Sequence, residues 1–373
     1  MYFKEIKLKN FRNYIEEDIY FHPKVNIIMG MNAQGKTNLL ESLYIMSLGK
    51  SFRTNKDNEL IHFNKKFCSA KCLYNKEGKE NSIEIIIKRD AKNIKINGLS
   101  AEKNSDLLEN IYTVIFSPED LKIIKDEPEK RRRFIDRELC QLKPVYYKNL
   151  GRYKKILLQR NTLLKQDKTD EIMIGVWDKV LAEYGSKIIA DRKEFIEKLN
   201  NISQEIHSKI TNKKEYLELN YETAIPIQDT LKDTEELFLE SLRKTRTRDL
   251  FRGNTGIGPH KDDIKISIND IDARHFGSQG QQRTAALSLK LAEIQLIREE
   301  KKEDAILLLD DVLSELDEER QKFLIDTLSG VQLFITAADP GEPLLKHMKE
   351  GEIFIVKDGS IEKRFDKGSL FYV

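Results

Sequence analysis

Gly30-Met31-Asn32-Ala33-Gln34-Gly35-Lys36-Thr37 is the stretch that decides the fold, because it reads G-x-x-x-x-G-K-T. An apolar run, 25–29, precedes it, and a helix-like stretch, 38–43, follows it. A loop of this pattern between a strand and a helix binds the phosphates of a nucleotide. The alternative is a glycine-containing turn beside a solvated lysine.

Each part of this loop has an expected role. Gly30 and Gly35 let the backbone curl so that its N–H groups form a nest for phosphate oxygens, and the following helix adds its positive end. Lys36 is expected to reach the β- and γ-phosphates and Thr37 to bind Mg²⁺. The predicted nucleotide-binding residues of the loop are Gly30, Met31, Asn32, Ala33, Gln34, Gly35, Lys36 and Thr37.

Length and composition indicate a large, charged protein. The chain has 373 residues, 39% of them hydrophobic and 34% charged, with a net charge of only +2. Length alone allows two or three domains, and the small net charge means that nucleic-acid binding must come from local patches. The three cysteines form no C-x-x-C pair, the N-terminus lacks a signal-peptide pattern, and no apolar run reaches roughly 18 residues. We therefore expect a cytoplasmic protein without a membrane partner.

The pattern of apolar residues divides the chain into three parts. Residues 1–120 are strand-rich and contain the loop, residues 121–250 carry apolar residues at helical spacing, and strands resume in 251–373. In the middle part, Pro144 predicts the end of one helix and the start of the next, and 176–210 predicts a helix of about 50 Å. We expect this part to be an inserted helical lobe with a short helical hairpin. Short strands that alternate with helices elsewhere predict a mainly parallel α/β core.

A second buried strand ends in two carboxylates. The apolar run 306–309 is followed directly by Asp310 and Asp311. Ligands bind at the carboxyl ends of such strands. Asp310 is predicted to bind Mg²⁺, and Asp311 to orient or deprotonate an attacking water; Asp311 and Lys36 are thus the predicted catalytic residues. The alternative is a capping carboxylate ahead of residues 314–317.

A third motif stands immediately before a long helical pattern at 279–300. It reads Ser278-Gln279-Gly280-Gln281. A serine hydroxyl, a glycine N–H and a helix N-terminus together make an anion site. The alternative is an ordinary helix cap.

Together with residues 314–317, these motifs resemble four motifs of ABC-type ATPase heads: the phosphate loop (30–37), the signature (278–281), Walker B (310–311) and the D-loop (314–317). Six further runs resemble the RecF family of bacterial recombination mediators, a resemblance that extends from the N-terminus to about residue 340: K-N-F-R-N-Y (9–14), K-S-F-R (50–53), F-S-P-E-D-L (116–121), R-R-R-F-I-D (131–136), G-P-H-K-D-D (258–263) and G-S-Q-G-Q-Q-R (277–283). The resemblance implies an α/β fold: an ABC/SMC-type P-loop ATPase head, with a mixed sheet and flanking helices, that carries an inserted, mostly helical lobe.

The resemblance also implies cofactors and partners. ATP and Mg²⁺ would close a head-to-head homodimer in which Ser278, Gly280 and Gln281 face the γ-phosphate of the other subunit's nucleotide, while Arg12 and Asn13 lie near the nucleotide. Such proteins bind single-stranded, gapped and duplex DNA, and with RecO and RecR they help place RecA at gaps. They support replication restart and the SOS response. The resemblance implies a weak, DNA-stimulated ATPase.

Three departures from the wider ABC pattern bear on hydrolysis. The signature has Gln279 where transporters commonly have glycine, Asp311 stands where most heads carry glutamate, and the sequence Thr336-Ala337-Ala338-Asp339 has no histidine at the usual switch position. Two alternatives therefore stay open: a transport-type ABC subunit, and a nucleotide-gated DNA scaffold with negligible hydrolysis.

A basic segment is the predicted DNA surface. Residues 130–155 contain ten Lys or Arg residues against two acids, with tyrosines interleaved. Clustered cations on helices make phosphate contacts that hold a duplex without reading its sequence. A second basic run lies at 243–248, and the alternative for both is a solvated helix face. The predicted DNA-binding residues are Arg131, Arg132, Arg133, Arg152 and Lys154.

Overall fold

The structure is a computed structural model, and it describes residues 1–166, 170–313, 316–328, 330–338 and 350–366. Its strands are β1 (Tyr2–Phe11), β2 (Tyr14–Tyr20), β3 (Val25–Met29), β4 (Phe67–Lys76), β5 (Lys79–Lys88), β6 (Ala91–Ile96), β7 (Leu99–Ser100), β8 (Thr113–Phe116), β9 (Leu217–Glu222), β10 (Asp263–Ile268), β11 (Ile271–Asp272), β12 (Ile306–Asp310), β13 (Leu333–Ala337), β14 (Glu352–Lys357) and β15 (Ser360–Asp366).

The helices are numbered in chain order like the strands. They are α1 (Lys36–Leu48), α2 (Lys122–Lys125), α3 (Pro128–Leu142), α4 (Pro144–Leu164), α5 (Glu171–Ile210), α6 (Leu231–Arg252), α7 (Ala273–Phe276), α8 (Gln279–Lys301) and α9 (Glu318–Thr327). The predicted role of Pro144 is confirmed, because α3 ends just before it and α4 begins with it. The predicted helix 176–210 begins five residues earlier, at Glu171, where the Asp170 side chain accepts hydrogen bonds from the N–H groups of Ile172 and Met173.

The chain folds into two compact units. One unit contains Met1–Asp120 and Glu293–Val373, and the other contains Leu121–Ala292. The expected lobe boundary at residue 250 therefore differs from the structure, because strands β10 and β11 and the first part of α8 belong to the second unit. The reason is pairing: β10 lies between β11 and β9 in a three-stranded antiparallel sheet, and β9 follows the long helix α5.

The first unit contains two six-stranded sheets. One is antiparallel, in the order β2-β1-β4-β5-β6-β7, and the other has the order β15-β14-β3-β13-β12-β8. Strands β14, β3, β13, β12 and β8 of the second sheet are parallel neighbours, and only β15 is antiparallel, at the edge. The predicted fold class, an ABC/SMC-type ATPase head, is confirmed. The sequence analysis did not predict that the strands form two sheets, one antiparallel and one mainly parallel.

Parallel pairing in this second sheet sets the position of the loop. The carboxyl ends of parallel strands meet at one edge, so the residues that follow β3, β12 and β13 are brought together although they are far apart in sequence. The register places Asp310 opposite Thr336, and Thr336 opposite Ile28. Helix α1 packs on this sheet with a nearly continuous apolar surface, since Leu39, Leu40 and Leu43 are fully buried.

The second unit has a charged core. The guanidinium of Arg160, which is fully buried, binds Asp178 at 2.7 Å and Asp249 at 2.9 Å, and both carboxylates are also fully buried. Arg192 binds Asp136 at 2.7 Å and donates to the Pro259 carbonyl. These ion pairs join helices α3 to α6 and the G-P-H-K-D-D run, and removing one partner of such a pair leaves a costly buried charge.

Helices α4 and α5 form an antiparallel pair within this unit. Arg152 on α4 donates to the Tyr184 hydroxyl on α5, and Arg160, further along α4, binds Asp178, which comes earlier on α5. Contacts that run in opposite sequence order require antiparallel helices. A helix of 40 residues such as α5 extends about 60 Å, so the pair presents a long side face to solvent.

Candidate nucleotide-binding site

The phosphate loop adopts backbone conformations that its glycines make accessible. Gly30 has φ 155° and Gly35 has φ 122°, and Ala33 lies between them in the left-handed region at φ 65°. At Gly30 a Cβ atom would lie 2.4 Å from the Val356 carbonyl oxygen, so a side chain is excluded there. A non-glycine residue at positive φ stores strain, and such strain concentrates where a loop must hold a ligand.

Lys36 crosses the loop that contains it. Its Nζ donates to the Gly30 carbonyl at 2.7 Å and to the Met31 carbonyl at 3.3 Å, and the residue is only 4% exposed. An ammonium buried against carbonyl oxygens lies where it can exchange those acceptors for phosphate oxygens. The geometry therefore agrees with the role predicted for Lys36 in the loop.

Three oxygen-bearing side chains meet at the edge of the parallel sheet. Thr37 Oγ1 donates to Asp310 Oδ1 at 2.9 Å, and Thr336 Oγ1 donates to the same oxygen at 2.8 Å. Burial raises the pKa of the Asp310 carboxyl, and this desolvation outweighs the hydrogen bonds from Thr336 and Thr37, which lower it. A buried carboxylate whose charge is poorly solvated favours a cation next to it.

Asp311 is held in an unusual conformation beside this cluster. Its φ is 52°, and its N–H donates to Thr336 Oγ1 at 2.9 Å. Thr336 thus contacts both predicted acidic residues, through the Asp310 carboxylate and the Asp311 N–H. The sequence analysis missed Thr336, although a hydroxyl residue at the carboxyl end of the strand next to Asp310 was a signal that could have found it.

Asn13 contacts the loop and Arg12 contacts helix α1, which follows it, and their proximity to the nucleotide stays a prediction. Arg12 forms a bidentate pair with the fully buried carboxylate of Glu41, with both contacts at 2.8 Å, one helical turn beyond Thr37. Asn13 Nδ2 donates to the Gln34 carbonyl at 2.9 Å, and Asn13 Oδ1 accepts from Asn38 Nδ2 at 2.8 Å. In this structure Asn13 supports the backbone of the loop.

The signature motif caps helix α8 in the second unit. Ser278 N–H donates to Gln281 Oε1 at 2.9 Å, and Gln281 N–H donates to Ser278 Oγ at 3.2 Å, which is a reciprocal capping box. Ser278 and Gly280 are exposed, and the Gln281 amide also donates to Glu215 Oε1 at 3.1 Å. The simpler prediction of a helix cap is confirmed, and the anion-site prediction stays a prediction.

The remaining predicted positions either lie outside the described residues or cap a helix. Ser314 and Glu315 of the expected D-loop, and Asp339 after the switch position, lie outside the described residues. Asp317 is the N-cap of α9, where its side chain accepts from the Arg320 N–H at 2.9 Å.

The structure corrects the predicted DNA surface at Arg131. Its guanidinium binds both oxygens of Asp263, at 2.6 and 2.8 Å, and the residue is 3% exposed, so it is part of the core. Arg132 donates to the Asp262 carbonyl at 2.7 Å and is half-buried. Arg133 is exposed and pairs with Glu129 at 2.6 Å.

Arg152 and Lys154 remain exposed on α4. The Arg152 guanidinium lies over the Tyr184 ring at 5.5 Å, and Lys154 is 3.5 Å from Asp136. Both side chains are on the surface that the sequence predicts, whereas Arg131 is not.

Within the described part of the chain, no group of three or more His, Cys, Asp or Glu residues is arranged to hold a metal. Across the same residues, no helix has both the length and the apolar character that a membrane span requires.

Comparison with known proteins gives the family of this head. The model of the RecF/RecN/SMC N terminal domain family matches residues 2–352. A DNA replication and repair protein RecF from Clostridioides difficile is 47% identical over 363 residues, which is 97% of this chain and 98% of the relative. The chain belongs to the RecF family. A RecF from Clostridium botulinum (strain Okra / Type B1) is 45% identical over 97% of this chain and 100% of the relative.

Solved structures agree with the RecF assignment. The recombination mediator protein RecF-ATPrS in the RecFOR pathway has a TM-score of 0.90 and 39% identity, and covers 97% of this chain and 98% of the solved one. The corresponding RecF-ATP structure has a TM-score of 0.89 and 38% identity, over 98% and 97% of the two chains. A Pyrococcus furiosus Smc head, at TM-score 0.56 and 17% identity over 99% and 98%, shares the fold.

We expect Asp310→Asn to raise the melting temperature of the nucleotide-free protein at neutral pH. Because burial raises the folded-state pKa above the unfolded value, the ionised carboxylate destabilises the fold above that pKa, and the amide removes this penalty while keeping an acceptor for Thr37 and Thr336. Each kcal/mol relieved is equivalent to roughly 2 °C or more.

The measurement is thermal unfolding as a function of pH. The gain should shrink as the pH falls toward about 4, where aspartate is protonated in the unfolded chain as well. The exposed Asp90→Asn serves as the control. A variant that melts at or below the wild-type temperature at neutral pH would contradict the expectation.

Proposed function

We propose that this chain binds ATP with Mg²⁺ and uses it to close a head-to-head homodimer on DNA during repair and replication. The observation that carries the proposal is the joint hydrogen bonding of Thr37 and Thr336 to Asp310 next to a phosphate loop. The solved RecF relatives bound to ATP or ATPrS, at 38–39% identity, support ATP as the nucleotide.

The residues at this edge fit Mg²⁺. Thr37 and Asp310 present two hard oxygen atoms 2.9 Å apart, and the raised pKa of Asp310 marks a carboxylate that a cation would stabilise. Mg²⁺ takes few protein oxygens and completes its shell with water and nucleotide phosphates, so two side chains suffice. When bound, the ion would neutralise charge on the β- and γ-phosphates.

The protein's own groups supply the rest of the site. The loop N–H groups and Lys36 bind phosphate oxygens, Asp311 orients or deprotonates water, and Ser278, Gly280 and Gln281 complete the site of a second subunit. Exposure of Ser278 and Gly280 supports this last role, because a group that meets another molecule must be accessible. Membership of the RecF family disfavours the transport-type alternative.

We further propose that the protein acts with RecO and RecR to help load RecA at gapped DNA, and so supports replication restart and the SOS response. The support is the resemblance of the whole chain to RecF proteins, together with a solved relative assigned to the RecFOR pathway. Single-stranded, gapped and duplex DNA are the proposed nucleic-acid ligands.

The α4 side face is the best-supported DNA surface. Lys148, Arg152 and Lys155 recur at spacings of four and three, so they share one exposed face of α4, and Lys154 adjoins it. Lys148 and Lys155 are both exposed, so their side chains can reach phosphates from solvent. Phosphate contacts of this kind bind DNA without sequence preference.

We expect light scattering to detect ATP-dependent dimers of the wild type. Ser278→Arg should remove them while leaving ATP affinity of the monomer unchanged, because an arginine at the cap obstructs the partner's nucleotide rather than the resident one. Ser100→Arg, at an exposed serine elsewhere, is the control. A wild type that stays monomeric at saturating ATP would refute the dimer, and a dimeric Ser278→Arg would refute the signature assignment.

We expect slow ATP turnover that DNA accelerates. Asp311→Asn should lower turnover on the order of ten-fold or more if Asp311 acts as base, with ATP affinity preserved. Steady-state phosphate release, with and without DNA, is the measurement. Equal turnover of variant and wild type would favour the nucleotide-gated scaffold.

We expect the triple variant Lys148→Glu, Arg152→Glu, Lys155→Glu to weaken DNA binding and to flatten its salt dependence. Each lost phosphate contact reduces the slope of log K against log salt by about 0.9 on duplex DNA. The control is Lys65→Glu, Lys66→Glu, Lys79→Glu, which changes net charge equally at exposed positions of the other unit. Equal weakening by both sets would mean that overall charge, and not the α4 face, determines affinity.

A further inference from the structure

The C-terminal hairpin of the first unit lies along the phosphate loop. Strand β14 pairs in parallel with β3, and the register ends with Ile355 opposite Met29, the residue before the loop. Beyond that pair the Val356 carbonyl approaches Gly30 so closely that any Cβ there would be 2.4 Å from it. The two-residue turn that follows, Asp358-Gly359, then reaches the far side of the loop.

This turn binds Gln34 from outside through two backbone N–H groups. Gly359 N–H donates to the Gln34 carbonyl at 2.9 Å, and Asp358 N–H donates to Gln34 Oε1 at 2.6 Å. Asn13 Nδ2 donates to the same Gln34 carbonyl at 2.9 Å. A single residue of the loop is therefore held by three donors from two distant parts of the chain.

The next peptide is held by two donors, because the Gly35 carbonyl also accepts the first hydrogen bond of α1, from the Leu39 N–H at 3.0 Å. The Tyr14 hydroxyl, which is buried, donates to the Gly35 carbonyl at 3.1 Å. In a trans peptide the N–H points opposite to the preceding C=O. Fixing the carbonyls of Gln34 and Gly35 from outside therefore points the N–H groups of Gly35 and Lys36 to the other side of the loop.

We propose that the Asp358-Gly359 turn, together with Asn13 and Tyr14, is a positioning element that preorganises the phosphate nest. This role rests on the proposed ATP binding, and it adds that the β14–β15 hairpin determines affinity for the triphosphate. Donors oriented before the ligand arrives do not have to be ordered during binding, so affinity rises without a new contact to the ligand.

The glycines of the chain provide a matched test. Gly359 has φ 74° and an added Cβ would lie 2.2 Å from the Asn13 carbonyl oxygen. Gly78 occupies the equivalent place in the β4–β5 turn, with φ 76°. Each glycine follows a residue at positive φ: Glu77 at 51° precedes Gly78, and Asp358 at 50° precedes Gly359. A Cβ added at Gly78 meets nothing within 4 Å. Gly359→Ala and Gly78→Ala thus share the backbone strain of alanine at positive φ, but only the first displaces the turn from the loop.

We expect Gly359→Ala to weaken ATP binding roughly ten-fold and Gly78→Ala to leave it unchanged, with the larger loss of melting temperature in Gly359→Ala because only its Cβ meets the backbone of Asn13. Titration of a fluorescent ATP analogue, and its displacement by inorganic tripolyphosphate, are the measurements. Because the turn acts on the phosphate nest, the affinities for ATP and tripolyphosphate should fall by the same factor. Tyr14→Phe, which removes only the hydroxyl at Gly35, should weaken both ligands in the same direction if Gly359→Ala does not fold.

Three results would overturn the proposal. They are equal ATP affinity of the two glycine variants, a loss for ATP without a loss for tripolyphosphate, and unchanged affinity of Tyr14→Phe. Failure of the wild type to dimerise would refute the proposed function and leave this test intact, since nucleotide affinity is measured on the monomer. Absence of any ATP binding by the wild type would refute both.

Discussion

The hydrogen bonds that converge on Asp310 are the interaction on which the site depends. Thr37 lies in the first turn of α1, Asp310 ends β12 and Thr336 lies near the end of β13. One carboxylate oxygen therefore joins three neighbouring segments at the sheet edge. Burial of that carboxylate raises its pKa and costs stability in the nucleotide-free protein. Function and stability oppose each other here, because the poorly solvated charge that weakens the fold is the one that favours a cation.

Strand order explains why this edge needs both ends of the chain. Strand β3 lies between β14 and β13, so the loop near the N-terminus is flanked on both sides by strands formed after residue 330. The second unit, Leu121–Ala292, is inserted between these halves. The first unit can therefore form the edge that carries the phosphate loop only after β13 and β14 have joined β3.

Much of the fold could be predicted from the sequence, since loops, caps and periodicity are local signals. The phosphate loop, the Asp310 strand and the break at Pro144 all appear where the sequence predicts them. The roles of Thr336 and Gly359 depend on register between strands far apart in sequence, which no local pattern specifies. Arg131 was a misreading of a local signal: it lies three and four residues before the buried Phe134 and Ile135, on the apolar side of α3.

The cap at Ser278 also bears on the proposed dimer, because capping and anion binding need not compete. Ser278 Oγ accepts a hydrogen bond from the Gln281 N–H, and a hydroxyl that accepts in this way keeps its own proton to donate. The Gln281 amide is in turn fixed by Glu215, which holds the capping box from the side of β9. A serine that is oriented by its helix, exposed, and still able to donate is suited to bind a phosphate oxygen presented by a second molecule. The phosphate loop follows the same principle, because Asn13, Tyr14 and Gly359 donate to its backbone carbonyls. In both motifs, hydrogen bonds within the protein occupy the acceptors and thereby orient the donors, the loop N–H groups and the Ser278 hydroxyl, toward a ligand.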